Sequence, residues 1–105
     1  MELKVFWTDT ARYQLEDIFD FLKYKAGVNI AKNIVTRIID KTLTLEKHPT
    51  IGQIEELLQN REYDYRYLIE GNYKIIYWIE NNYIKIAAVF DCRQNPHKMQ
   101  QVDNY

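Results

Sequence analysis

The spacing of apolar and polar residues changes along this 105-residue chain. Residues 3–7, LKVFW, alternate in the manner of a half-buried strand. From Ala11 the period lengthens. Ala11, Leu15, Ile18, Phe19 and Leu22 recur at helical spacing, preceded by Thr8, whose hydroxyl suits an N-cap, and Asp9, whose carboxylate suits the positive end of a helix dipole. This first helix should end near Ala26-Gly27, where a glycine can adopt the left-handed conformation that closes a helix. Asn29 then suits the cap of a second helix, predicted over about 30–47. Ala31, Ile34, Val35, Ile38, Thr42 and Leu45 form its apolar side, widened by Ile39 and Leu43, with Lys32, Arg37, Asp40 and Lys41 outward. Pro49 disfavours helical geometry at His48 and sets the stop. Thr50, Ile51 and Gly52 read as loop, and a connector with Glu55 and Glu56 follows, anchored by Leu57 and Leu58.

From Tyr63 to Arg93 the period is two, interrupted by Gly71-Asn72 and Asn81-Asn82, dipeptides suited to two-residue hairpin turns. An antiparallel meander of three strands is expected. With two-residue loops Arg66 faces Tyr77, Leu68 faces Ile75, Ile69 faces Lys74 and Trp78 faces Lys85. Leu68, Ile75, Tyr77, Ile79, Ile84, Ile86, Ala88 and Phe90 then share a face suited to burial under helices. The second face collects Tyr65, Tyr67, Lys74, Trp78, Lys85 and Arg93, a set of rings and cations. A three-residue loop at Glu70–Asn72 would shift the register and bring Arg66 to that second face. After Arg93, Asn95-Pro96 reads as a cap followed by proline at a first helical position, which leaves two expectations for HKMQQVDNY, a short helical turn or a frayed end. The order is βααβββ. It implies a single α+β domain over residues 1–105, a two-layer structure with a helical hairpin on one face of an antiparallel sheet and the other face open.

Fourteen Lys and Arg against fifteen Asp and Glu give a formal net charge of −1, so any contact with a polyanion must come from a local patch. A single cysteine, Cys92, cannot form an internal disulfide and is expected as a small buried residue. One Cys and two His far apart offer no metal-ligand spacing, and neither G-x-G-x-x-G nor a Walker-type loop is present, so no metal or cofactor is expected. The N-terminus lacks a basic-then-apolar signal, and no apolar run approaches bilayer length, which predicts a cytoplasmic protein with no membrane partner. Asp17 and Asp20 read as a solvated helix face, and His48 suits the end of the second helix.

Chemistry therefore concentrates on the second face of the meander. Lys74, Arg93 and, in the shifted register, Arg66 can bind phosphate, while Tyr65, Tyr67 and Trp78 can stack on bases. Tyr, Trp and Arg also dominate protein interfaces, and Glu80, Asp91 and the low net charge fit a protein partner at least as well. Arg66 has a structural alternative, pairing with a helix carboxylate. His97 can act as a general acid or base if the tail folds over the sheet, and is otherwise a surface histidine.

The element order, the opening VFWT, ARYQLEDIFDFL, the LEKHPTIGQ bend, RYLIEGNYKIIY and the ending VFDCRQNPHKM together resemble the RelE/ParE superfamily of type II toxins, the plasmid-stabilisation type. The resemblance implies a small growth-inhibiting toxin encoded beside an antitoxin that masks its functional face. RelE-like members cut messenger RNA on the ribosome, and ParE-like members poison DNA gyrase. By the same resemblance Lys74, in YKIIY, occupies the place of a strand-borne arginine, and Arg93 matches a basic residue after the last strand. Tyr65 and Tyr67 stand where RelE-like nucleases carry lysines, and Met99 about where they carry a late tyrosine.

Cleavage by 2′-hydroxyl attack requires a proton acceptor and cations for the charged phosphorane. The nuclease reading thus makes Lys74, Arg93 and His97 catalytic, with His97 substituting for the missing tyrosine. Target contacts in either branch are Arg66, Tyr65, Tyr67, Trp78, Lys74 and Arg93. Low net charge suits docking on ribosomal RNA poorly, so the expectation is the gyrase-poisoning branch. A ribosome-dependent mRNA endonuclease and a non-toxic binding module are the alternatives. Expected partners are a cognate antitoxin and gyrase or the ribosome, with a homodimer or a toxin–antitoxin heterotetramer as the assembly.

Overall fold

A computed structural model describes residues 2–93. The elements are β1 (Lys4–Trp7), α1 (Asp9–Ala26), α2 (Val28–Leu43), β2 (Gln53–Ile54), β3 (Arg66–Glu70), β4 (Tyr73–Glu80) and β5 (Tyr83–Asp91). They form an α+β fold in which two helices pack on a five-stranded sheet of order β1-β5-β4-β3-β2.

Thr8 caps α1 as its sequence position implies, its hydroxyl accepting from the Ala11 amide at 3.2 Å. The same hydroxyl donates to the Ile86 carbonyl at 2.7 Å, so the cap also fastens the helix start to β5. Gly27 closes α1 by donating its amide to the Lys23 carbonyl at 3.1 Å. At φ +100 and ψ 162 it occupies a region open essentially to glycine, and it reverses the chain within one residue. The second helix therefore begins at Val28 with Gly27 as its cap, earlier than residue 30 and without Asn29 in that role. It stops at Leu43, short of Lys47, because Thr44–Glu46 tighten into a 3-10 turn that absorbs terminal carbonyls ahead of Pro49.

The meander has the expected pairs: Arg66 opposite Tyr77, Leu68 opposite Ile75, Ile69 opposite Lys74, and Trp78 opposite Lys85. Asn81 and Asn82 both have positive φ, 53 and 68, as a type I′ turn requires. Three features of the strand pairing depart from expectation. First, β1 runs parallel to β5, which makes the sheet mixed; Val5 and Trp7 thereby join the core that holds Ile84 and Ile86. Second, the connector contributes an edge strand, β2, pairing Gln53 with Tyr67 and Ile54 with Arg66. Third, the β4–β5 register shifts between Ile76 and Tyr77, leaving Ala87 as an extra residue. Beyond this bulge the side chains change sides. Val89 enters the helix-side core, whereas Ala88 and Phe90, expected there, pack on the other face.

Between helices and sheet the core comprises Ala11, Ile38 and Leu45 against Tyr73, Ile75, Tyr77, Ile84, Ile86 and Val89. Ile79, expected in this band, lies near the hairpin end and is partly exposed. Tyr77 is fully buried, and its hydroxyl reaches the loop before β2, accepting from the Gly52 amide at 3.0 Å and donating to the Pro49 carbonyl at 2.8 Å.

The far face of the sheet is covered rather than open. A 3-10 turn, Glu56–Leu58, and the chain up to Tyr65 fold across it, giving a second core of Leu58, Tyr65, Ile76, Trp78, Ala87, Ala88 and Phe90. Leu58 anchors this cover, while Leu57, expected to share that role, is exposed. Cys92 follows the end of β5 and is exposed, contrary to its expected burial.

Candidate functional site

Strand β4 presents Lys74, Ile76 and Trp78 in alternation toward the second face, and each meets a different environment. Lys74 pairs with the carboxylate of Glu55, which lies just after β2 and is 4% exposed. Its ammonium also sits 4.2 Å from the centre of the Tyr67 ring. Tyr67 donates its hydroxyl to Gln53 Oε1 at 2.9 Å, so the ring is held by the edge strand beside it. Glu55 is fixed in turn: its amide donates to the Tyr65 carbonyl at 2.8 Å, and its Oε1 accepts from the Leu57 amide at 3.2 Å.

Farther along β4, Trp78 stacks on Tyr63 with ring centres 5.3 Å apart and meets Tyr65 edge-on at 5.6 Å. Tyr65 and Trp78 are 6% and 4% exposed, so these rings pack on one another and leave little surface for a base. Glu80 ties the cluster together, accepting from Tyr63 Oη at 2.8 Å and from Trp78 Nε1 at 3.1 Å. The Tyr63 hydrogen bond, more than burial, pushes the phenol up to about 12. The same bond is the leading cause that holds the Glu80 carboxyl below its ordinary range, followed by the bond from Trp78. Lys85 adds an ion pair to Glu80 at 3.4 Å.

Arg93 turns back on Asp91 through two side-chain contacts, Nε to Oδ1 at 2.9 Å and Nη2 to Oδ2 at 2.5 Å, and its amide donates to Oδ1 at 2.8 Å. This fork holds the Asp91 carboxyl below the usual carboxylate range despite some burial. Unlike Lys74, the arginine side chain is 73% exposed.

Of the residues singled out in the sequence, Lys74 and Tyr67 are in contact, and Tyr65 and Trp78 are in contact. Arg66 is on the other side: it shares the face of Tyr77 and donates to the carbonyls of Thr50 at 3.2 Å and Gly52 at 2.8 Å. It therefore pairs with loop carbonyls and not with a helix carboxylate. His97, Met99 and the predicted turn after Arg93 lie outside the described residues. Glu55 is the important residue that the sequence reading passed over. Its signal was indirect, a lysine at a half-buried strand position that needs a counter-charge from elsewhere in the chain.

Among the described residues no cluster of three or more His, Cys, Asp or Glu could hold a metal ion, and no helix is long and apolar enough to cross a membrane. A shallow groove between the helices is lined by Leu15, Glu16, Phe19, Asp20 and Val35. Nearby in sequence on α2, Ile39 and Leu43 are exposed one turn apart.

The family model for the ParE toxin of the type II toxin-antitoxin system, parDE, matches residues 5–96. No curated protein matches the chain by sequence. Among solved structures, the chain resembles one from the chromosomal ParDE toxin–antitoxin system of P. aeruginosa, with a TM-score of 0.72 and 18% identity over 86% of this chain and 96% of the other. It also resembles a chain of the toxin–antitoxin complex RelBE2 of Mycobacterium tuberculosis, with a TM-score of 0.62 and 19% identity over 87% of this chain and 99% of the other. At these identities the structural likeness speaks to the fold.

Proposed function

The chain belongs to the ParE toxin family of type II toxin–antitoxin systems, and from this premise we propose that it arrests growth by poisoning DNA gyrase in the cytoplasm. The observation that carries this reading is the state of the second face. Lys74 is engaged by a buried carboxylate, and Trp78 and Tyr65 are packed into a filled core. A surface that cuts RNA needs cations free to meet the phosphorane and rings free to stack on bases. Among the candidate contact cations Arg66, Lys74 and Arg93, it is Arg93, at the end of β5, whose side chain is mostly exposed, its fork to Asp91 lying at the surface. In this reading Arg93 is a contact residue, and Arg66 supports the loop before β2.

A cognate antitoxin is the partner that keeps the protein inactive. Its docking place is proposed on the outer side of the helical hairpin, where the groove beside Phe19 and Val35 adjoins exposed apolar positions of α2.

Induction of the chain alone in bacteria, with DNA and protein synthesis pulse-labelled in parallel during the first minutes, tests the target. DNA synthesis should fall first, with double-strand breaks, and a resistant gyrase should abolish the effect. Protein synthesis falling first would overturn the proposal in favour of ribosome-dependent mRNA cleavage. Normal rates with a folded, soluble chain would leave a binding module with a toxin fold.

A further inference from the structure

Lys74 and the Tyr67 ring, 4.2 Å apart, form the kind of pair that holds a phosphate and stacks a neighbouring base. In this protein the anion already present is a carboxylate of the same chain. We propose that Glu55 is a built-in stand-in for phosphate: it occupies the anion position at Lys74 and thereby excludes nucleic-acid phosphates from this face of the sheet.

Glu55 is suited to that role by how firmly it is held. Its backbone amide is bound to Tyr65 and its Oε1 accepts from Leu57. Oε2 is buried and, among the described residues, has no hydrogen bond besides the ion pair to Lys74. An incoming phosphate would have to draw Lys74 away and leave this carboxylate buried and unpaired, while adding a second negative charge beside it. Both effects oppose entry. The net charge of −1 supplies no general attraction to offset them. Glu55 is then the residue that determines specificity at this position, and Lys74 is a clasp for the segment covering the sheet. The inference deepens the proposal that the target is not ribosomal RNA, and rests on it. Its test uses purified protein, so the gyrase result and the phosphate result can fail separately.

The experiment measures fluorescence anisotropy of a short labelled single-stranded oligouridylate at low salt with four proteins: wild type, Lys74→Met, Glu55→Gln, and the double variant. Wild type and Lys74→Met should bind equally weakly. Glu55→Gln should bind on the order of tenfold more tightly, the scale of one charge-assisted contact. That gain should disappear in the double variant and shrink as salt rises. Weaker binding by Lys74→Met than by wild type would overturn the proposal, as would a folded Glu55→Gln with no gain. Folding of each variant is checked by thermal melting. If a variant fails to fold, inorganic phosphate is titrated into wild type with isotope-labelled lysines and followed by NMR. The Lys74 side-chain signal should stay fixed while those of exposed lysines shift, and a parallel shift of Lys74 would overturn the proposal.

Discussion

The hydroxyl of Tyr77 lies 3.0 Å from the Gly52 amide, and a Cβ added to Gly52 would come within 2.5 Å of that oxygen. It would also meet the Tyr67 carbonyl oxygen at 2.8 Å, a backbone atom that cannot swing aside. The fold thus uses one absent side chain to let the central strand reach the loop before β2. Tyr77→Phe should cost about 1–3 kcal/mol, because it leaves the Gly52 amide and Pro49 carbonyl without this partner. Gly52→Ala should cost at least as much through overpacking, about 1–3 kcal/mol, with both losses read as a lower urea midpoint.

The second core should behave as structure and not as a stacking platform. Leu58→Ala is expected to destabilise by about 2–5 kcal/mol and Trp78→Ala by about 3–5 kcal/mol, both measured by urea unfolding. Growth arrest by either variant should follow its folded fraction. A stable Trp78→Ala with lost toxicity would instead make Trp78 a target contact.

Glu80 and Tyr63 contribute at opposite ends of the pH profile. With its pKa lowered by the Tyr63 bond, charged Glu80 favours the folded state above the ordinary value of 4.5, and this contribution is lost as pH falls through the lowered value. Neutral Tyr63 favours the folded state below its ordinary 10.0, and that contribution is lost as pH rises toward about 12. Melting temperatures across pH should therefore show a weaker acid-side decline in Tyr63→Phe and Glu80→Gln than in wild type. An unchanged acid limb in both would remove Glu80 from the account.

These local features differ in how far the sequence exposes them. The Thr8 cap and the Asn81-Asn82 turn depend on adjacent residues, and the structure matches the sequence reading at both. The bulge at Ala87 was hidden because IAAVF, residues 86–90, is apolar at every position, so a shift by one leaves no mark on a pattern of alternation. The cover over the second face was hidden for another reason. Leu58, which anchors it, and Glu55, which Lys74 holds, lie in a connector without periodicity, and their partners Trp78 and Lys74 are distant in sequence. Rings and a cation on a strand looked like an open site because the counter-charge could not be located.

The β4–β5 turn offers a separate check on the backbone. Asn82→Ala places an ordinary side chain at φ 68 and should cost about 1–2 kcal/mol, seen as a lower melting temperature with the fold unchanged.

On α2, Leu43→Lys replaces an exposed apolar side chain with a cation that suits the helix C-terminus and should change stability by no more than about 0.5 kcal/mol. Affinity for the cognate antitoxin should nevertheless fall about tenfold or more by calorimetry. Unchanged affinity would move the docking place away from the hairpin.

The position of β5 bears on when the protein can first exist. It is the last strand among the described residues, yet it lies inside the sheet between β1 and β4, and its Ile86 carbonyl receives the hydroxyl of Thr8 from 78 residues earlier. The helical hairpin can form from neighbouring residues, but the sheet can close only when residues 83–91 arrive. A translation product interrupted before residue 83 lacks the strand on which both β1 and β4 depend. The cell therefore meets the closed sheet only after residue 91 has been made, and an antitoxin that recognises this fold has no shorter products to compete for it.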